Sequence, residues 1–159
     1  MSIVFECIWK ENSATERENA IRLWQNFNTF DDAGVTEQRA KEIVFVAKKG
    51  EEVIGVATVR PLRVKLMNNN YFYEFRCFVS PDHRAPALDT QLLVKTKSFF
   101  EDHPDASDFP CIGLVIIIEN ETIKQNWTKA VWAGTDMIFV GYSSKGDHIR
   151  VSYFKGARI

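Results

Sequence analysis

Residues 71–100 read YFYEFRCFVSPDHRAPALDTQLLVKTKSFF: an apolar strand, a Pro-marked turn carrying an Arg, and then an amphipathic helix. A strand that runs straight into a helix N-terminus points backbone N–H groups outward, which is how folds offer donors to a phosphate. The stretch contains no glycine, and none occurs between Gly55 and Gly113. A phosphate-cradling loop here therefore lacks the residue that ordinarily takes up its positive-φ positions.

Downstream, residues 86–102 are predicted as a helix with Leu88, Leu92, Thr96 and Phe99 as its apolar stripe. A polar loop with two prolines spans 103–110, and 111–118 is nearly all apolar, as in a strand buried on both faces. Asn120 caps a further helix whose stripe is Ile123, Trp127, Ala130 and Val131, ended by Gly134. Residues 137–142 and 148–154 form a hairpin around Ser143-Ser144-Lys145-Gly146-Asp147.

Upstream, residues 2–9 alternate as a first strand, and Ser13-Ala14-Thr15-Glu16 is a capping box that opens a helix. Ala20, Leu23, Trp24, Phe27 and Phe30 recur at three and four, and a short charged helix follows at 36–41. Residues 43–48 and 53–60 are β-branched runs joined by Lys49-Gly50-Glu51-Glu52, a hairpin signature. Pro61 does not suit the interior of a central strand, so that strand is expected to end or lie at an edge there, with 62–67 as a bent extension. The order β-α-α-β-β-β-α-β-α-β-β predicts an α/β class: one domain over residues 1–159, a mixed sheet of about seven strands and four flanking helices.

Composition narrows the classes. A chain of 159 residues, 45% hydrophobic and 13% aromatic, buries a substantial core. A formal charge of -1 gives no general pull toward nucleic acid or membrane, and no apolar run nears the roughly 20 residues of a membrane helix. The N-terminus lacks a cationic start and a small-residue cleavage site, so the expected compartment is the cytoplasm. Cys7, Cys77 and Cys111 are odd in number and lie in apolar runs, which predicts buried reduced thiols. With no ligand spacing among them, and His83, His103 and His148 scattered, no metal is expected.

The order of elements, together with two motifs, resembles the GNAT superfamily of acyl-CoA-dependent N-acyltransferases over nearly the whole chain. Val79-Ser80-Pro81-Asp82-His83-Arg84 is similar to the family's Val-x-Pro-x-x-Arg at the end of the fourth strand. The family continues Arg-x-x-Gly-x-Gly/Ala, whose amides hold the pyrophosphate of coenzyme A; here the positions are Arg84, Ala87 and Asp89. Asn120-x-x-Ile123-x-x-x-Trp127-x-x-x-Val131-Trp132 resembles the family's Asn-x-x-Ala-x-x-x-Tyr-x-x-x-Gly-Phe, with Trp127 where a Tyr often protonates the departing thiolate.

The resemblance implies an acetyl-CoA or other acyl-CoA donor and direct attack by a primary amine in a ternary complex. It puts pantetheine against the backbone of Phe78 and Val79. The pyrophosphate falls to Arg84, Ala85, Ala87, Leu88, Asp89 and Thr90, with Asn120 and Trp127 also on the cofactor side. Against that, Pro86 offers no N–H, Ala87 tolerates positive φ less well than Gly, and Asp89 suits a helix N-cap.

Glu74 is the family-like general base, and its alternation puts it on a face with Arg76 and Phe78, where a surface ion pair is the competing reading. Tyr142 is the candidate proton donor, beside His148. The acceptor is a small-molecule or peptide amine, and two edge hairpins leave room for a homodimer. Two other readings stay open: a fold kept for binding without catalysis, and an acyltransferase fed by the phosphopantetheine of an acyl-carrier protein.

Overall fold

The apolar and alternating runs become strands in a computed structural model of the chain, which describes residues 2–11, 13–83 and 87–159. The elements are β1 (Ile3–Cys7), α1 (Ala14–Asn26), α2 (Ala33–Lys41), β2 (Ile43–Lys49), β3 (Glu52–Val64), β4 (Asn70–Val79) and α3 (Leu88–Asp102). They continue with β5 (Cys111–Ile118), α4 (Glu121–Asn126), β6 (Val131–Trp132), β7 (Met137–Tyr142) and β8 (His148–Tyr153). The strands are hydrogen-bonded in the order β1-β2-β3-β4-β5-β8-β7-β6. The β4–β5 pair is parallel, whereas β1–β2, β2–β3, β5–β8, β6–β7 and β7–β8 are antiparallel. The α/β class and the four helices match the expectation; the sheet has eight strands where about seven were expected.

The chain forms two compact units, Met1–Val59 with Arg76–Thr96, and Arg60–Phe75 with Lys97–Ile159. In the first, Ala20, Leu23 and Trp24 of α1 pack on Ile8, Ile43, Val46 and Val56, with Phe27 and Phe78 against them. Ser13 is the N-cap residue of α1, but its side chain makes no capping bond. The reciprocal partner is committed elsewhere: Glu16 is buried and accepts from Lys48 Nζ at 3.1 Å. The β2–β3 register ends at Ile43 opposite Thr58, so Pro61 lies past the end of β2. Its missing N–H leaves no β2 bond unmade, and β3 runs on through it to Val64.

In the second unit Phe72, Val115, Ile149 and Val151 form the core with Val64. The ring of Tyr73 stacks on Phe100 of α3 at 4.7 Å between centroids. The β4–β5 register gains a residue on β5 between its first two pairs, Tyr71 with Cys111 and Tyr73 with Leu114. Gly113 sits in that irregularity, where a Cβ would collide with the carbonyl of Ser152.

The helix expected to run to Gly134 stops at Asn126, and Val131–Trp132 pair with Ile138 and Met137 as an extra strand. The cause is Arg150, only 1% exposed, which donates to the carbonyls of Trp127 at 3.0 Å and Ala130 at 3.2 Å. Those carbonyls are aimed at the guanidinium, and that of Ala130 also accepts from Phe139 N–H of β7, so the segment is tied to β7 and β8 and not wound onto α4 as a further turn.

Candidate active site

The candidate side chains named from the sequence lie on β4, after it, on α4 and on the β7–β8 pair. Glu74 on β4 is 5% exposed and accepts from Arg60 Nε at 2.7 Å, while the Arg60 side chain on β3 is 47% exposed. Burial of a carboxylate is tolerated only with such a partner. Facing residues in a ladder share a side of the sheet, so the pairs Glu74–Val115 and Val115–Val151 put Glu74 on the side of Val115, Val151 and Phe72.

Tyr142 is 61% exposed and pairs with His148, edge-on to its ring at 5.4 Å and to Phe139 at 5.3 Å. The pair of Phe139 with Arg150 assigns that aromatic group to the opposite side of the sheet from Glu74. The two sequence-predicted catalytic residues therefore project from opposite faces of this unit's strands.

Arg84, Ala85 and Pro86, named for the pyrophosphate loop, lie outside the described residues. The positions after them are informative. Ala87 has φ of 59°, the left-handed conformation that the family's glycine would hold, and its carbonyl accepts from Gln91 N–H at 2.9 Å to start α3. Ala87 thus holds a backbone conformation that favours glycine, at a cost on the order of 1 kcal/mol. Replacing Ala87 with Gly is expected to raise stability by up to about 0.5 kcal/mol in urea denaturation, after the greater freedom of Gly in the unfolded chain.

Leu88 is buried against Gly55, so its side chain is core. Asp89 is not the N-cap of α3: the helix starts one residue earlier, and the Asp89 carboxylate accepts the N–H of Thr90 at 2.8 Å from within the first turn. Ahead of the loop, the N–H of Ser80 donates to Ile54 O at 2.8 Å, and His83 sits with Nε2 3.4 Å from Glu52 Oε2. These contacts fasten the turn to the start of β3.

Phe78 packs its ring on Phe27 at 5.7 Å, leaving its backbone as the part relevant to a ligand, with Val79 next along the strand. Cys77, expected buried, is open to solvent.

Asn120 caps α4 as expected, its side chain accepting from Ile123 N–H at 3.1 Å. Trp127 is the C-cap and 59% exposed, edge-on to Trp132. Lys124 joins α4 to the β7–β8 turn through Asp147 at 2.7 Å, and that bond, then Glu121, holds its ammonium above the usual lysine range. No cluster able to hold a metal occurs among the described residues, and none of their helices is long and apolar enough to cross a membrane.

Arg60 and Arg150 were missed by the sequence reading. Arg60 had one signal, its place two residues before Leu62 and four before Val64 in an apolar alternation. Arg150 had none.

Comparison with known proteins gives a concordant picture. A search of curated proteins finds no match to the chain. Among solved structures, it resembles a PaiA N-acetyltransferase from Thermoplasma acidophilum in complex with coenzyme A, at 13% identity and a TM-score of 0.55, covering 97% of this chain and 100% of that one. It also resembles NAA60 from Arabidopsis thaliana in complex with acetyl-CoA, at 12% identity and 0.60, covering 96% and 99%. An N-acetyltransferase from Staphylococcus aureus is similar at 10% identity and 0.64, covering 97% and 99%. At such identities these likenesses establish the fold. The family model "Acetyltransferase (GNAT) family" matches residues 4–106, more than half of the sequence. The chain belongs to the acetyltransferase (GNAT) family.

Proposed function

We propose that the protein is an acyl-CoA-dependent N-acyltransferase that moves an acetyl group to a primary amine by direct attack, without an acyl-enzyme. The observation that carries this reading is Glu74, a carboxylate 5% exposed on β4 with a cationic partner on the next strand. A buried charge of that kind costs stability unless it has work to do. In the reaction the amine nitrogen bonds to the thioester carbonyl carbon, the C–S bond breaks, and Glu74 takes the proton that the nitrogen loses. Tyr142 projects from the opposite face of these strands and does not reach the same carbonyl, so the departing thiolate takes its proton from water. The backbone of Phe78 and Val79 and the left-handed turn at Ala87 would hold pantetheine and phosphate.

Calorimetry with acetyl-CoA tests the reading. Measurable binding is the expected result. No heat at high protein concentration would leave a fold retained for some other binding role.

One observation favours a second reading, in which phosphopantetheine on a carrier protein is the donor. The Asp89 carboxylate already occupies the Thr90 N–H, putting a negative charge where a pyrophosphate would seek donors. The expected result is that Asp89→Asn tightens coenzyme A by about tenfold, the size of one relieved like-charge contact, and leaves S-acetyl-phosphopantetheine unchanged. Equal effects on both donors would remove Asp89 from the argument.

A further inference from the structure

The Glu74–Arg60 pair has an unused half. Arg60 Nε is bound to Glu74 Oε1 at 2.7 Å, whereas Nη1 and Nη2 have no partner among the described residues. An arginine held from behind by a buried carboxylate keeps its planar fork oriented, so part of the ordering cost of binding an anion is already met. Around it, Leu62 and Val64 follow Arg60 at two-residue spacing on β3, and Phe72 precedes Glu74 by two on β4. All belong to the cluster on the Glu74 side of the sheet. An exposed cationic fork, a neighbouring carboxylate and the half-buried Leu62 therefore stand together, over a core that encloses Val64 and Phe72.

We infer that the acceptor is an apolar α-amino acid, bound through its own carboxylate by Arg60 with its amino group directed to Glu74. The inference rests on the acyltransferase reading of the same site. An α-amino acid zwitterion carries its opposite charges on two groups of one carbon and matches a carboxylate beside a guanidinium. A plain amine satisfies only one of the two, and a plain acid has nothing for Glu74 to deprotonate. The bidentate guanidinium–carboxylate contact sets the selectivity, and the half-buried Leu62 is the apolar surface open to the side chain.

The test is thiol release from acetyl-CoA with L-leucine and L-phenylalanine, each compared with its amide, in which the amine remains and the carboxylate is gone. The expected KM for each amino acid is at least about tenfold below that of its amide, the value of a charge-assisted pair. Arg60→Gln is expected to abolish that ratio, which is read within each variant so that any general loss from unpairing Glu74 falls on acid and amide alike, and Arg60→Lys to restore part of it, as a point charge without the fork would. Amides used as well as the acids, or a ratio that survives Arg60→Gln, overturns the inference.

If no acceptor releases thiol, the acyltransferase reading fails. The inference is then decided by ligand-observed NMR with L-leucine and 3-methylbutylamine on the wild type and Arg60→Lys. A preference for leucine that weakens in Arg60→Lys upholds an amino-acid site, and its absence sinks it. Should Arg60→Gln fold poorly by circular dichroism, Arg60→Lys carries the kinetic comparison.

Discussion

Glu74→Gln should lower kcat for acetyl transfer by about 10²-fold or more, the usual contribution of a positioned general base, with the fold preserved. The amide has nearly the same shape and still offers an oxygen to Arg60 Nε, so the strand pair loses charge without losing its hydrogen bond. This separates chemistry from architecture. Were Glu74 only the buried end of an ion pair, the substitution would change stability and leave turnover intact. Arg60 is half exposed, so the pair is screened and its loss costs at most about 1 kcal/mol. Measured kcat and KM for the amine, with a urea midpoint on the same preparation, decide the matter. A kcat within about threefold of wild type would remove Glu74 from catalysis, since a base worth keeping contributes far more.

Much of the fold was legible because local periodicity and burial agreed. The stripe Ala20, Leu23, Trp24 appears on α1 and packs inward, and the apolar run of β5 is paired on both edges. Sequence failed where one distant side chain overrode local preference. Residues 127–131 have helical spacing, yet Arg150 reaches back 20 residues to the Ala130 carbonyl. In the sequence, His148, Arg150 and Ser152 look like the polar face of an edge strand, and nothing local marks Arg150 as buried. The same holds for the capping box at Ser13, where Glu16 is drawn away by Lys48, 32 residues on.

The site was less legible than the fold. Glu74 was found because strand parity and family resemblance pointed to it, but Arg60 on the adjacent strand, which pairs with it, was not named. Cross-strand partners depend on register, which a single sequence specifies only weakly. Ala87 shows the converse. Its residue type argues against a left-handed turn, and the backbone adopts one all the same because the strand-to-helix junction requires it.

Arg150→Ala should be the most destabilising single change outside the apolar core, at about 3–4 kcal/mol, roughly 10 °C in Tm for a domain of this size. The guanidinium lies 4.1 Å from the Trp132 ring centre and 5.9 Å from that of Phe139, besides its bonds to Trp127 O and Ala130 O. Opposing these is desolvation, which holds the Arg150 pKa below its usual value and leaves Nε without a partner. Two carbonyl bonds from a charged donor, at about 1.5 kcal/mol or more each, and a buried cation–π contact worth about 2 kcal/mol outweigh one unmade bond. Arg150→Met fills the space and removes the buried charge, so its cost isolates the two lost guanidinium–carbonyl bonds. Those carbonyls lie in a segment with exposed residues and can turn to water if β6 detaches. Arg150→Met should therefore lose less than the alanine variant, while amide exchange at Phe139, whose N–H bonds to Ala130 O at 2.9 Å, accelerates in both. If Arg150→Ala unfolds within about 1 kcal/mol of wild type and exchange at Phe139 is unchanged, Arg150 does not end α4, and the cause of β6 must be sought in the β6–β7 turn itself.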